Sequence, residues 1–428
     1  MIIHEHQKLL ENGWIDPDVR SEQYGDGFLL NAQASVYDQK YFFIWNKLDE
    51  DKPCYTASYI VGAQRIGGEE LIIEPKMENI DFMKMFSVCL AGNPSPESFA
   101  KIYNIDLDAE PIKTKTNLSA TLTPLLIVHF LMLMKRITSK GLRSDYVERE
   151  ENLKKVKGRI DIRNNERKNV IYKRFDKVYC NYSERSVNIP ENRLFKKTLM
   201  ICKNYIGRML NHELYPELYT RINHCLSAFE GVDENIELQE IRNTKRNNLY
   251  KDYAAAVGIA LKILKRFDYS VTSLDIDNQQ TPVFWIDMAL LYEHYVYGLL
   301  HKAYGSDIKY QVSGKFGWRP DFLHTGEKLI MDTKYIRDIE GARALGEIVG
   351  QLSGYSRVKR FTDIMGVDED TVIPCVFLYP IFNPLNDSPV FDRNKHLLDQ
   401  ATPIEGLVKF YKIGVPVPHI NGMYNFTI

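Results

Sequence analysis

Trp318-Arg319-Pro320-Asp321, followed by Asp332-Thr333-Lys334, is the stretch on which the reading of this chain turns. Arg319 to Leu323 and Lys328 to Ile336 are short apolar-rich runs, and His324-Thr325-Gly326-Glu327 between them is a turn signal, so the spacing predicts a strand hairpin. On its second strand, period-two alternation sends Ile330, Asp332, Lys334 and Ile336 to one face and Leu329, Met331, Thr333 and Tyr335 to the other. Asp321 on the neighbouring strand can join Asp332 and Lys334. Such a trio suits phosphodiester hydrolysis. Mg²⁺ prefers oxygen ligands and is usually held by only one or two carboxylates. A metal so held acidifies its water and neutralises charge developing on phosphate, while a lysine beside it adds positive charge where the transition state is most negative. An isolated Asp-x-Lys at a strand end is more commonly a solvated salt bridge, so the surroundings must decide.

Two flanking segments bear on that decision. Residues 284–304 read as a helix with Ile286, Leu290, Glu293, Tyr297, Leu300 and Tyr304 along one stripe. An ionised Glu293 inside that stripe is costly unless it is paired or binds metal; the alternative is a stripe-edge position that reaches water or a lysine. Residues 341–358 read as a second helix, on which Gln351 and Tyr355 share a face. That pair could contact the attacking water, a metal-bound water or the substrate backbone.

The order of these elements resembles the PD-(D/E)xK nuclease superfamily. The resemblance implies a C-terminal α/β domain with a mixed sheet flanked by helices. It implies Glu293, Asp321 and Asp332 around Mg²⁺ (or Mn²⁺ in its place), with the Thr333 carbonyl as a further ligand and Lys334 beside the attacking water. Gln351-x-x-x-Tyr355 is similar to the extra motif of the RecB-like branch. Arg319 is a candidate phosphate contact, or equally a surface ion-pair partner.

The remainder of the chain sets bounds. At 428 residues, 44% hydrophobic and 26% charged, it has room for two or three domains with full cores. The six cysteines are scattered without C-x-x-C or a zinc-spaced histidine, which fits a reducing cytoplasm. The N-terminus lacks a basic-then-apolar signal. The longest apolar run, Leu125 to Met134, is too short to span a bilayer and predicts a buried helix, so no membrane partner is expected. Net charge is −1, yet Lys135 to Lys177 carries 15 Lys and Arg against 7 Asp and Glu. That stretch is either a surface for the DNA backbone or a solvated face with internal ion pairs. No G-K-[ST] ending follows any glycine cluster, so this chain is not expected to bind a nucleotide; a motor would be another polypeptide.

The expected organisation is an α+β multidomain chain. Residues 1–117 read as a β-rich N-terminal domain. Residues 118–270 read as a helical middle region (119–138, 190–212, 216–229 and 246–267) with a basic, β-containing arm at about 145–182. Residues 283–428 read as the nuclease domain. Several segments resemble one family, McrC, the nuclease subunit of the McrBC 5-methylcytosine restriction system. They are Tyr59-Ile60-Val61-Gly62 with Ile73-Glu74-Pro75-Lys76, Gly141-Leu142-Arg143-Ser144-Asp145-Tyr146, Lys157-Gly158-Arg159-Ile160-Asp161, Asn188-Ile189-Pro190-Glu191-Asn192-Arg193, Arg319-Pro320-Asp321, Asp332-Thr333-Lys334-Tyr335 and Leu378-Tyr379-Pro380. They occur in the family's order over most of the chain. The resemblance implies an endonuclease subunit that docks through its N-terminal half onto an AAA+ ring resembling McrB, which hydrolyses GTP (or ATP) and reads DNA. Two rivals stand beside it: a stand-alone repair or recombination nuclease, and a non-catalytic activator of a AAA+ ring.

Overall fold

The computed structural model describes residues 2–5, 8–9, 27–29, 41–46, 54–66, 69–77, 79–114, 117–209, 215–241, 251–272, 280–336, 342–381 and 391–420. It is an α+β chain that divides into two compact units, Met1–His129 with Tyr269–Ile428, and Phe130–Asp268.

The first unit carries the hairpin. In chain order its main elements are β1 (Ile2–His4), β2 (Ile60–Ile66), β3 (Glu69–Glu74), α1 (Phe82–Gly92), β4 (Tyr103–Asp106), β5 (Val283–Asp287), α2 (Met288–Tyr304), β6 (Ile308–Tyr310), β7 (Phe322–His324), β8 (Leu329–Thr333), α3 (Ala342–Tyr355), α4 (Lys359–Met365), β9 (Cys375–Ile381) and β10 (Phe410–Pro416). A six-stranded mixed sheet runs β6-β7-β8-β9-β10 and ends on Thr402–Pro403. β6, β7 and β8 are antiparallel, whereas β8, β9 and β10 are parallel. β8 reads Leu-Ile-Met-Asp-Thr, and its first four residues are all buried, as a strand covered on both faces requires. Ile330 and Leu323 join Ile348, Leu352 and Tyr355 of α3 and Phe361 of α4 in one core.

A second, five-stranded sheet has the order β1-β3-β2-β5-β4. Its fourth strand corrects the sequence reading. The helix expected over 284–304 begins only at Met288; Val283–Asp287 is a strand, paired antiparallel with β2 on one side and β4 on the other. Asp287 ends the strand and caps the helix, its side chain accepting from the Leu290 N–H at 3.0 Å. The helical period of the following residues extended by accident onto Ile286, whereas Val-Phe-Trp-Ile is a β-forming run closed by a cap residue. A domain boundary at 283 would therefore cut a sheet in two. The N-terminal strands and the hairpin belong to one unit.

α1 and α2 pack together through glycines. A Cβ on Gly298 would lie 2.1 Å from the Val88 carbonyl oxygen, and one on Gly92 would lie 2.7 Å from the Tyr297 ring. A separate four-stranded antiparallel sheet joins Lys8–Leu9, Cys54–Ala57, Tyr41–Asn46 and Gly27–Leu29.

The second unit contains the helices Pro190–Met209 and Pro216–Ser227, with Leu194, Phe195, Leu199, Leu218 and Ile222 buried. The expected arm is a long antiparallel pair, Asp145–Leu153 against Val178–Ser186, with Arg159–Ile160 added at its edge. Its charge is partly neutralised within the unit: Arg149 and Lys157 both pair with Glu184, and Arg143 pairs with Asp145 and Glu191. Lys154, Lys155, Arg163, Arg167 and Lys173 are exposed, and beside them so are Ile162, Ile171, Tyr172 and Phe175, the last at 77%. The charge count gave no warning of this apolar surface.

The apolar run at residues 125–134 lies within the longer helix Leu122–Lys140. With the turn before it, Leu118–Lys140 is long and apolar enough to cross a membrane, so the length argument made from the sequence does not hold. Burial is the better argument: residues 124–134 are all buried within the protein, as in a core helix.

Candidate active site

Asp321 sits just before β7 and Asp332 on β8, each adjoining one member of the cross-strand pair Phe322 and Met331. The Asp321 Oδ2 accepts the Thr333 N–H at 2.6 Å and the Thr333 hydroxyl at 2.5 Å. Its own carbonyl accepts the Gln311 N–H at 2.8 Å. Asp332 is 2% exposed and pairs with the ammonium of Lys334. The strand ends at Thr333, but the Lys334 N–H still donates to the Leu378 carbonyl of β9 at 2.9 Å, which fixes where the lysine leaves the sheet. Its Nζ then donates to Gln351 Oε1 at 2.8 Å, and Gln351 Nε2 donates to the Tyr355 hydroxyl at 2.6 Å. A continuous polar chain thus runs Asp332–Lys334–Gln351–Tyr355. The four-residue helical spacing of Gln351 and Tyr355 on α3 makes its last link.

Glu293 enters from α2. Gln311 Nε2 donates to Glu293 Oε1 at 2.6 Å, and the Tyr310 hydroxyl is a second partner. Neither residue was singled out by the sequence, because both become neighbours of Glu293 only when β6 folds back beside α2. Arg319 is exposed and, among the described residues, stands outside the network; the Pro320 that follows it is buried.

The electrostatics are those of charge crowded into a dry place. Burial, then the negative charges of Glu293 and Asp332, push Asp321 well above the usual carboxylate range. Burial raises Glu293 and Asp332 as well, the latter in part offset by Lys334. For Lys334, burial alone would lower the pKa, but Asp332 and Asp321 more than compensate and the net shift is upward. The lysine is therefore held as a cation. Among the described residues, no three His, Cys, Asp or Glu side chains are gathered closely enough to cage a metal by themselves. The donor set instead suits a cation content with one or two carboxylates and water, as Mg²⁺ is. Asp321 and Asp332 fit that description, and a divalent charge between them would offset the repulsion that helps to raise Asp321 and stabilise the buried charge of Asp332.

Behind Lys334 lies a second buried cluster, from the N-terminal sheet. Lys76 Nζ donates to the Tyr335 carbonyl at 3.1 Å and lies 3.5 Å above the Tyr335 ring. Glu5 Oε2 accepts the Lys76 N–H at 2.9 Å and the Tyr335 hydroxyl at 3.4 Å. Burial raises the Glu5 carboxyl to about 7 against the opposing pull of Lys76. A carboxyl whose folded pKa lies above its unfolded one stabilises the fold when protonated, and that stability is lost as pH rises from about 4.5 to about 7. Glu5→Gln should abolish this slope and add up to about 3 kcal/mol at pH 8. Thermal melts of both proteins across that range provide the check; parallel curves would show that Glu5 does not carry the effect.

A family model described as the McrBC 5-methylcytosine restriction system component matches residues 56–343. The chain belongs to that family. The matched span takes in Glu293, Asp321, Asp332 and Lys334 and stops before Gln351. Two solved assemblies are similar at a low level. One is the refined half-complex from the tetradecameric assembly of Thermococcus gammatolerans McrB AAA+ hexamers with bound McrC. It is 16% identical, with a TM-score of 0.35, over 99% of this chain and 96% of that one. The other is the cryo-EM structure of the Thermococcus gammatolerans McrBC complex. It is 13% identical, with a TM-score of 0.31, over 71% of this chain and 87% of that one. Neither likeness is strong enough to carry an argument about fold. No curated protein matches the chain.

Proposed function

We propose that this restriction-system component is the Mg²⁺-dependent DNA endonuclease subunit of a modification-dependent complex driven by a separate AAA+ motor. The observation that carries the reading is the convergence of Asp321, Asp332 and Lys334 at one end of the hairpin, with Lys334 held by Gln351. Asp321 and Asp332 would hold Mg²⁺ (or Mn²⁺), with the Thr333 carbonyl as a further ligand and Glu293 binding directly or through water. When bound, the metal would acidify a water and neutralise charge on the phosphate. Lys334, kept cationic by its carboxylate neighbours, holds the attacking water and the non-bridging phosphate oxygen as negative charge builds. Gln351 and Tyr355 fix the lysine, and the exposed Arg319 contacts a flanking phosphate. Hydrolysis adds one water to phosphorus and breaks one P–O ester bond, leaving a phosphate monoester and a hydroxyl.

The motor is assigned to another chain because this sequence has no phosphate-binding loop ending in G-K-[ST]. In one of the similar assemblies McrC is bound to McrB AAA+ hexamers, and we assign the same kind of partner here, hydrolysing GTP, in the cytoplasm. The exposed apolar and basic arm of the second unit suits a protein or DNA contact. The decisive experiment is cleavage of 5-methylcytosine-containing DNA by the purified chain with and without the AAA+ partner, nucleotide and Mg²⁺. Cutting should require all of them. Robust metal-dependent cutting by the chain alone would favour a stand-alone nuclease, and no cutting by the full complex would favour a non-catalytic activator.

A further inference from the structure

Trp318, three residues before Asp321, has an indole that remains 39% exposed although its backbone is pinned on both sides. Its N–H donates to the Lys315 carbonyl at 3.3 Å, and its own carbonyl accepts the Gly314 N–H at 2.6 Å. The six-membered ring rests directly on α3 at Gly354. A Cβ there would come within 1.8 Å of Cζ3 and 2.0 Å of Cη2. The ring edge meets Tyr355, with centroids 5.8 Å apart at 77°. A glycine inside a helix is unfavourable unless something needs the space, and here the indole occupies it. The seat makes the ring rigid, while the partial exposure leaves apolar surface uncovered. Lys315 and Arg319 flank it, and both are exposed. A half-exposed aromatic ring with two exposed cations close by in the chain, against a polar chain that leads through Tyr355 and Gln351 to the candidate catalytic lysine, matches the chemistry of a nucleotide strand, with a flat base for the ring and phosphates for the cations.

We infer that Trp318 is a stacking platform for an unpaired nucleobase next to the scissile phosphate, with Gly354 as its seat and Lys315 and Arg319 holding the adjoining phosphates. The catalytic half of this statement rests on the nuclease reading above; the binding half does not. Stacking tolerates any base, because every base has a π face, so the platform would position a strand without selecting its sequence. An aromatic ring in a duplex is already stacked on both sides. The platform therefore acts on a base that has left the stack, at a nick, a strand end or a locally opened site.

The test uses the full chain with a short oligothymidylate, read by tryptophan emission and by direct binding, with Mg²⁺ chelated so that nothing is cut. Of the four tryptophans, Trp318 is assigned the quenching. We expect emission to fall on binding, Trp318→Phe to remove the quenching but keep most of the affinity, and Trp318→Ala to weaken binding roughly tenfold or more. Gly354→Ala, which keeps the indole but lifts it off its seat, should weaken binding as well. Unchanged oligothymidylate affinity in a folded Trp318→Ala protein overturns the platform. So does slower duplex cleavage by the variant assembled with its AAA+ partner, nucleotide and Mg²⁺ when oligothymidylate affinity is unchanged, which is what a mere wedge against Tyr355 would give. Asp332→Asn separates the two readings, because it leaves the quenching intact whatever happens to cleavage.

Discussion

Asp321→Asn should abolish DNA cleavage while raising the melting temperature. Cleavage falls by roughly 10²–10³-fold or more, on the scale of losing one preorganised electrostatic contact, because the amide cannot share a divalent cation with Asp332. Stability moves the other way. Burial and the charges of Glu293 and Asp332 raise the Asp321 pKa well above its ordinary value. The native carboxyl therefore contributes stability when protonated, and loses it as pH climbs from the ordinary carboxylate range through the raised value. Near neutrality the charged form is a burden, about 1.4 kcal/mol for every tenfold weakening of the acid. Asparagine has the same shape, and its carbonyl can still accept from the Thr333 N–H and hydroxyl that now bond Asp321. The gain should appear as a rise of a few degrees in Tm without metal. Added Mg²⁺ should then stabilise the wild type and leave the variant unmoved, since binding to the native state alone shifts the equilibrium. A variant that melts lower than wild type without metal, or still cuts, would refute this account of the site.

Gly298→Ala should be among the most damaging single methyl groups in the first unit. The new Cβ would meet the Val88 carbonyl oxygen at 2.1 Å, and a helix backbone cannot turn aside as a side chain can. α1 and α2 must separate, and overpacking of that kind costs up to about 3 kcal/mol. Because α2 also carries Glu293, cleavage should decline together with stability. Gly92→Ala is the control at the same helix pair. Its nearest neighbour is the Tyr297 ring at 2.7 Å, which can rotate, so the loss there should be under about 1.5 kcal/mol. Urea unfolding of the two variants ranks them, and equal midpoints would contradict the glycine-to-backbone contact.

What could be read from the sequence and what could not divides by distance along the chain. Asp332 and Lys334 lie two apart, Gln351 and Tyr355 four apart, and Asp321 sits one hairpin away. Each relation follows from strand or helix geometry, and the structure brings those five together. The α+β character was legible for the same reason. Gln311 beside Glu293, Lys76 on the Tyr335 carbonyl, and the indole of Trp318 on Gly354 depend on elements meeting across the fold, which no local period records. The strand β5 was lost differently. Ile286 happened to continue the spacing of the helix after it, and only the Asp287 cap marks the change.

That strand has a consequence for how the protein is made. β5 fills the space between β2 and β4, yet it is synthesised roughly 180 residues after β4. At about 5–20 residues per second, the ribosome leaves that sheet open for roughly 10–30 seconds, with two unpaired strand edges of the kind that recruit stray partners. Fragments that end before Val283 should therefore collect in inclusion bodies. Slowing translation across the inserted second unit should lower the yield of soluble full-length chain more than slowing it after Asp287.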